Sequence, residues 1–421
     1  MAILQFRKPR EEAEEYYDPE EYYTEEVYEE EAYPEDAPSD REDYTERIRR
    51  HRRAVVIRTV VLTLLMIGMV SFVAYRVDTR VFSGAEISQV SPLVRSSSSI
   101  FKNLGGNVFS YSRDGASCMD PDGKPIWNIT YEMQQPMIDI EGNTAAIADY
   151  NGSKVYVVTS EKTLGTVTTL MPIRAISVSR SGEVAAVLAD SNVTWVYLYA
   201  ADGTEIAYFR MSMNRTGYPV SVSISPGGEM VCISYLRADG TDVKSSVAFY
   251  NFGSIGQNEI DNYVSGFDYR DEIVPYVRFI SDTASFAVSD ERIAFFTGRQ
   301  IPQAGENIFF KENLLSVYSS DKYVALLFPD SSGVEQYRLD IYNARGDKIT
   351  TIPFTMDFTD IQIAYDRIYI SDEQSGKIFD VDGTQKFSGA FGKSIDALIP
   401  GSRIDKITVI TTDGLERLTL N

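Results

Sequence analysis

Histidine and cysteine are nearly missing from this chain. Its 421 residues include one histidine, His51, two cysteines, Cys118 and Cys232, and two tryptophans, Trp127 and Trp195. A histidine-rich metal centre needs more imidazole than this, and with the one histidine at position 51, beside the apolar run described below, the rest of the chain has no histidine to assist a nucleophile. Two cysteines so far apart cannot form a disulfide framework. Both sit in strand-like runs and read as buried free thiols. Basic charge is also scarce, with 40 Lys and Arg against 61 Asp and Glu and a net charge of -21. With no basic stripe to follow phosphates, nucleic acid is excluded as a partner. Amphipathic helical periodicity is missing from Asn107 to the C-terminus.

The charge that is present is unevenly placed. Residues 11–46 hold eighteen acidic residues and one arginine, Arg41. Seven tyrosines lie in the same stretch, from Tyr16 to Tyr44, and three prolines interrupt it. Like charges repel here and few aliphatic side chains are available to bury, so residues 1–46 read as a disordered acidic tail. Such a tail suits a basic cytoplasmic partner or a tyrosine kinase. Residues 47–58 form a basic collar with Arg47, Arg49, Arg50, Arg52, Arg53 and Arg58, and His51 sits among them.

Thr59 to Tyr75 then reads TVVLTLLMIGMVSFVAY, apolar and bracketed by Arg58 and Arg76. Such a run spans a bilayer at the short end of the usual range, and the flanking arginines snorkel to the headgroups. A signal peptide fits poorly, because the exit Tyr75-Arg76-Val77-Asp78 lacks a small-residue cleavage site. The arginine bias places the N-terminus in the cytoplasm and the remainder outside. The collar faces anionic lipid headgroups. Residues 76–84 are a linker, and residues 85–421 form the extracytoplasmic body.

The body is repetitive. Ile176-Ser-Val-Ser-Arg-Ser-Gly-Glu-Val-Ala-Ala-Val187 matches Val222-Ser-Ile-Ser-Pro-Gly-Gly-Glu-Met-Val-Cys-Ile233. Each is an alternating strand, a glycine turn and a second apolar strand. Weaker copies begin near Met137, Val277, Leu314, Ile361 and Ile395, with another near Ile100–Leu104. Tight turns recur at Asp122-Gly123, Asp202-Gly203, Gly346-Asp347 and Asp382-Gly383, where glycine supplies the positive φ a hairpin needs. The spacing is that of four-stranded propeller blades, which must pack radially to bury their faces. The expected fold is all-β, a propeller of eight blades, or seven if the Ile100 strand is not real. The last repeat offers three strands, so Ala85 to Val94 is expected to supply its fourth and close the ring.

These repeats resemble WD40-like and quinoprotein-like β-propellers, without the Gly-His and Trp-Asp signature of true WD40 repeats. The layout of acidic tail, single span and external propeller resembles an uncharacterised family of membrane-anchored proteins from Gram-positive clostridia. That resemblance implies an envelope location and brings no functional residues with it. Quinoprotein dehydrogenases carry tryptophan docking motifs and often a vicinal cysteine pair. This chain departs from both, so no cofactor is expected, and Trp127 and Trp195 read as core.

Paired carboxylates at Asp120-Pro-Asp122 and Asp380-Val-Asp382 suggest calcium, but neither continues into an EF-hand loop, and the turn reading prevails. Asn128, Asn151, Asn192 and Asn214 head formal glycosylation sequons. Arg174 and Arg278 each precede the serine of a first strand by three residues. Equivalent register would aim both at one end of the channel, where they would hold a carboxylate or phosphate. The functional expectation is a non-catalytic scaffold or adaptor with an envelope protein partner. The alternatives are a ligand sensor using the channel, and a hydrolase or lyase built on carboxylates. No catalytic or metal residue is nominated.

Overall fold

The computed structural model describes residues 40–78, 80–93, 98–190, 193–211, 217–239 and 242–421. Most of the acidic tail, residues 1–39, lies outside the described residues, as do Asn192 and Asn214. The described chain divides into two units, 1–77 and 78–421.

The first unit is a helix, α1, Asp40–Asp78. It begins inside the segment read as unstructured. Within it Glu46 and Arg50 lie 3.6 Å apart, one turn from each other. Its stretch Glu46–Val73 is long and apolar enough to cross a membrane, by length and composition. Within it the hydroxyls of Thr59 and Thr63 donate to the carbonyls of Val55 and Thr59, each at 2.9 Å. Those bonds satisfy polar groups that hydrocarbon would leave unpaired.

The second unit is a β-propeller of eight four-stranded antiparallel sheets. Blades 1 to 7 are residues 100–130, 136–168, 173–211, 218–270, 276–309, 316–354 and 360–390. Blade 8 combines Ile395–Ile399, Lys406–Thr411 and Gly414–Leu420 with the outer strand Ala85–Ser91. That strand runs antiparallel to Gly414–Leu420, with Ala85 opposite Leu420 and Ser91 opposite Leu415. The ring therefore closes as the sequence predicts, and the weak strand Ile100–Leu104 is a true first strand. The first strand of blade 6 is Ser316–Ser319, two residues beyond the expected Leu314. Blade 4 carries two short 3-10 turns, Gly256–Asn258 and Ile260–Asn262, before its last strand.

The core lies between blades. Ala185, Val196 and Leu198 of blade 3 pack on Val231, Ile233 and Tyr250 of blade 4. Similar clusters join every neighbouring pair, and Phe101 and Val108 of blade 1 meet Ile399, Ile410 and Leu415 of blade 8 at the seam. Burial of this apolar surface, at about 25 cal/mol per Å², holds a ring of blades that could not stand singly. Trp127 belongs to the blade 1–2 interface, where its indole N–H donates to the Thr159 carbonyl at 2.7 Å.

The Asp-Gly markers form turns between third and fourth strands. In each, the glycine N–H donates three residues back, as from Gly123 to Asp120 at 2.9 Å and from Gly383 to Asp380 at 2.9 Å. The glycines have φ of 83 and 92. This is a type I turn with a left-handed glycine bulge. The Asp120 carboxylate accepts from the N–H groups of Asp122 and Lys124 at 3.0 and 2.9 Å, so it serves its own turn.

Candidate functional site

An inner strand exposes backbone N–H groups to the channel, and these need acceptors. In blades 3 to 5 the preceding blade provides them. The Asp139 carboxylate accepts from Val178 N–H at 2.8 Å. Ser177 Oγ accepts from Ile224 N–H at 3.1 Å. Ser221 and Ser223 accept from Val277 and Phe279 N–H at 3.2 and 3.0 Å. Of the repeated Ser-x-Ser, the first serine (Ser177, Ser223) is thus a stitch to the next blade, while the second (Ser179, Ser225) accepts from its own hairpin.

Arg278 crosses the channel. From blade 5 its Nη1 donates to Asp139 Oδ1 at 2.9 Å, and its Nη2 donates to the Ile140 carbonyl at 2.7 Å, both in blade 2. Glu141 lies 3.6 Å from Nη2. Burial opposes the Arg278 charge, but Asp139, Tyr276 and Glu141 more than offset it, and its pKa moves up. Burial also pushes the Glu141 carboxyl up, and Arg278 and Arg180 only partly counter it. Arg180 of blade 3 lies 3.1 Å from Glu141 and 3.8 Å from Asp321 of blade 6.

Arg174 is placed elsewhere. It sits at a bulge between Ile173 and Ala175. There it donates to the Tyr150 hydroxyl at 3.2 Å and to Asn151 Oδ1, with its guanidinium 5.3 Å from the Tyr150 ring centre. Tyr150 and Asn151 belong to the turn between the second and third strands of blade 2, at the opposite end of the blade from the Gly142 turn. The shared register expected for Arg174 and Arg278 is therefore not formed. The stitched N–H groups of Val178, Ile224 and Phe279 are equivalent, so Arg278 stands where blade 3 has Ser177, three residues beyond Arg174, and the two arginines have separate partners.

Around Arg278 the channel opens into a cavity of about 880 Å³. Its wall includes Lys102, Glu141, Arg180, Lys322, Tyr365 and Arg367. Its rim is formed by turns between first and second strands. Lys322 Nζ binds both oxygens of Asp366 at 2.9 and 3.1 Å, joining blades 6 and 7. Gln362 donates to Asp360 at 2.7 Å and to the Leu398 carbonyl at 2.9 Å, joining blades 7 and 8. Apart from Arg278, sequence reasoning missed this set. The available signal was Tyr365-Asp366, standing in a hairpin position that blade 1 fills with Gly105-Gly106.

Burial pushes the Cys118 thiol up to about 12 and the Cys232 thiol well above its usual value. Both are unpaired and buried, so neither is a nucleophile at neutral pH. Among the described residues no cluster of three or more His, Cys, Asp or Glu is arranged to hold a metal.

Residues 78–420 match the profile of a family of unknown function, DUF5711. Among solved structures, BamB from Moraxella catarrhalis is similar at 14% identity, covering 80% of this chain and 100% of its own, with a TM-score of 0.45. The computationally designed protein Ika8 is similar at 12% identity over 81% of this chain and 100% of its own, with a TM-score of 0.47. Kluyveromyces lactis Hsv2p is similar at 9% identity over 71% of this chain and 97% of its own, with a TM-score of 0.44. No curated protein matches the chain.

Proposed function

The chain belongs to this family of unknown function, and from that premise we propose that it is a membrane-anchored, non-catalytic scaffold or adaptor at the cell envelope. The observation that carries the reading is a closed eight-bladed ring on a chain with one helix suited to a membrane. A ring whose blades are stitched by hydrogen bonds and core clusters presents a rigid surface, which favours protein recognition over large conformational work. The chemistry of the channel supports it too: Arg278 and Lys322 are bound to carboxylates rather than poised beside a reacting centre.

The topology follows the charges. Residues 1–46 lie in the cytoplasm as an acidic contact for a basic partner, and the arginine collar 47–58 meets anionic headgroups. Residues 59–75 cross the bilayer, and residues 76–84 link them to the body 85–421 outside. Protease added to intact cells is expected to spare the first fifty residues while reaching the body. Crosslinking in living cells is expected to join the body to an envelope protein. Protection of the body with loss of the tail would reverse the topology, and turnover of a defined small substrate by the purified protein would defeat the non-catalytic role.

A further inference from the structure

Blade 4 departs from its neighbours between its third and fourth strands. Blades 1 and 7 make that connection with the tight turns 120–124 and 381–384, whereas blade 4 runs through residues 252–262 before its last strand, Tyr263–Arg270. The longer connection ends in Asp261 and Asn262, at φ of 57 and 59. Aspartate and asparagine tolerate that left-handed region better than most side chains. The connection sets Ile260, which is 87% exposed, and Asp261 at the edge of a cavity of about 830 Å³ between blades 3 and 4.

Strand pairing assembles the floor of this cavity. Tyr235 stands opposite Ser246, and Ser246 opposite Asp268. Ala248 stands opposite Gly266, and Tyr250 opposite Tyr263. Residues opposed in an antiparallel pair share a face, as do alternate residues of one strand. All of these therefore lie on the face of blade 4 that packs on Phe209 of blade 3, whose ring centre is 4.4 Å from that of Tyr250. Ala248 and Gly266 keep the middle of the floor low. The Tyr263 hydroxyl lies over Gly266, in the space a Cβ would take, and Tyr263 is 47% exposed. Arg210 also borders the cavity, but its guanidinium is 5.9 Å from the Trp195 ring centre, on the other face of blade 3.

The lining offers donors and acceptors together. The hydroxyls of Tyr235 and Tyr250 are 2.9 Å apart, so one donates to the other and one proton is left over. Burial pushes the Tyr250 hydroxyl up to about 12, its bond with Tyr235 partly counters this, and Tyr263 and Asp261 add to the rise. The pair therefore keeps its spare donor at neutral pH, in the field of a carboxylate that only accepts. Among the described residues neither Asp261 nor Asp268 has an ion pair or a side-chain hydrogen bond. An ammonium only donates and a carboxylate only accepts, whereas a hydroxyl does both. The exposed Tyr263 ring adds an apolar surface beside these polar groups.

We propose that this cavity binds a sugar ring, stacked on Tyr263 with its hydroxyls shared between Asp261 and the Tyr235–Tyr250 pair. A free sugar and a glycan chain present the same ring. The site goes beyond the scaffold role and does not depend on it.

The test uses the full chain in a detergent without a sugar headgroup. Glucose, galactose, mannose and N-acetylglucosamine serve as single rings, chitotetraose as a chain, and sorbitol as a polyol without a ring. Titration calorimetry is expected to show saturable binding of at least one sugar and none of sorbitol. Comparable affinity for a single ring and the chain assigns a free sugar, and tighter binding of the chain assigns a glycan. Tyr263→Ala is expected to weaken the responding sugar about tenfold or more. Asp261→Asn is expected to weaken it about fivefold or more, and asparagine keeps the left-handed turn. If Tyr263→Ala does not fold, Gly266→Ala replaces it, because its methyl displaces the Tyr263 hydroxyl. No saturable binding of any sugar, equal binding of sorbitol, or wild-type affinity in either variant overturns the proposal.

Discussion

Arg278 is the residue whose removal the ring should feel most sharply. Its guanidinium neutralises Asp139 and Glu141, whose side chains are 14% and 13% exposed. Arg278→Gln leaves both carboxylates without that cation, and loss of one partner from such a pair costs about 3–5 kcal/mol. Glu141 sets the pH dependence. Its folded pKa lies above the usual 4.5, so the folded state holds that proton more tightly than the unfolded chain. Its contribution is therefore present at low pH and is lost as pH rises through the folded value. Without Arg278 that folded value climbs further. Urea denaturation at pH 7 and pH 5 should show the Arg278→Gln deficit shrinking at the lower pH, and a deficit independent of pH would contradict the account. Part of this was legible in the sequence. First strands line the channel, so a channel-facing Arg278 followed from the repeat. Its partners did not follow, because Asp139 lies 139 residues away and meets it only across the closed ring. Arg174 does not share that place, because Ser281 lies at the hairpin end of its strand and Arg278 takes the position that Ser177 holds in blade 3, three residues beyond Arg174.

Among the elements, the turns are where sequence and shape agree most closely, and they contribute an acid-sensitive stability. The Asp372 carboxylate, in the second turn of blade 7, accepts from Gln374 N–H at 2.6 Å and from the Ser375 hydroxyl at 2.8 Å, and also from Ser375 N–H. Burial pushes its carboxyl up, but these donors prevail, and its pKa falls below the usual 3.8. The sign is the reverse of that for Glu141. The contribution is present above the unfolded value and disappears as pH falls through the folded one. Melting temperature followed from pH 6 down to pH 2 should drop less steeply in Asp372→Asn than in the parent chain, although the variant starts lower. An identical slope would remove Asp372 from the acid response. Most strands were legible because apolar alternation marks a half-buried sheet. The first strand of blade 6 escaped by two residues, since Leu314 is apolar but precedes the ladder, which pairs Ser316 with Leu327. The stitching role of Ser177 and Ser223 escaped as well. Serine in a strand carries no local sign that its hydroxyl will cap the next blade.

At the scale of the molecule, closure depends on a strand that is remote in sequence from the rest of its blade. The chain enters the propeller through Phe82, which is 5% exposed among Tyr369, Ile378 and Phe387 of blade 7. Phe82 N–H donates to the Lys386 carbonyl at 2.7 Å, and Ser83 and Gly84 N–H donate to the Asn421 carbonyl at 3.1 Å each. Ala85–Ser91 then completes blade 8, and the Ser91 hydroxyl donates to the Asp122 carbonyl of blade 1 at 2.7 Å. The entering segment thus touches blades 7, 8 and 1, and it is also the segment joined to the apolar helix. Noncovalent closure should therefore survive loss of the peptide link between Ser91 and Ile100. With a protease site inserted there, the cleaved protein is expected to elute from a sizing column in detergent as one species and to separate only in urea. Adding Phe82→Ala, which removes about 3–5 kcal/mol of buried aromatic packing, should let the fragments part at a lower urea concentration. Spontaneous separation after cleavage without urea would mean that the covalent link, rather than the seam, holds the ring to its anchor. The propeller would then behave as an open array of blades, in which neighbours support one another but the two ends do not.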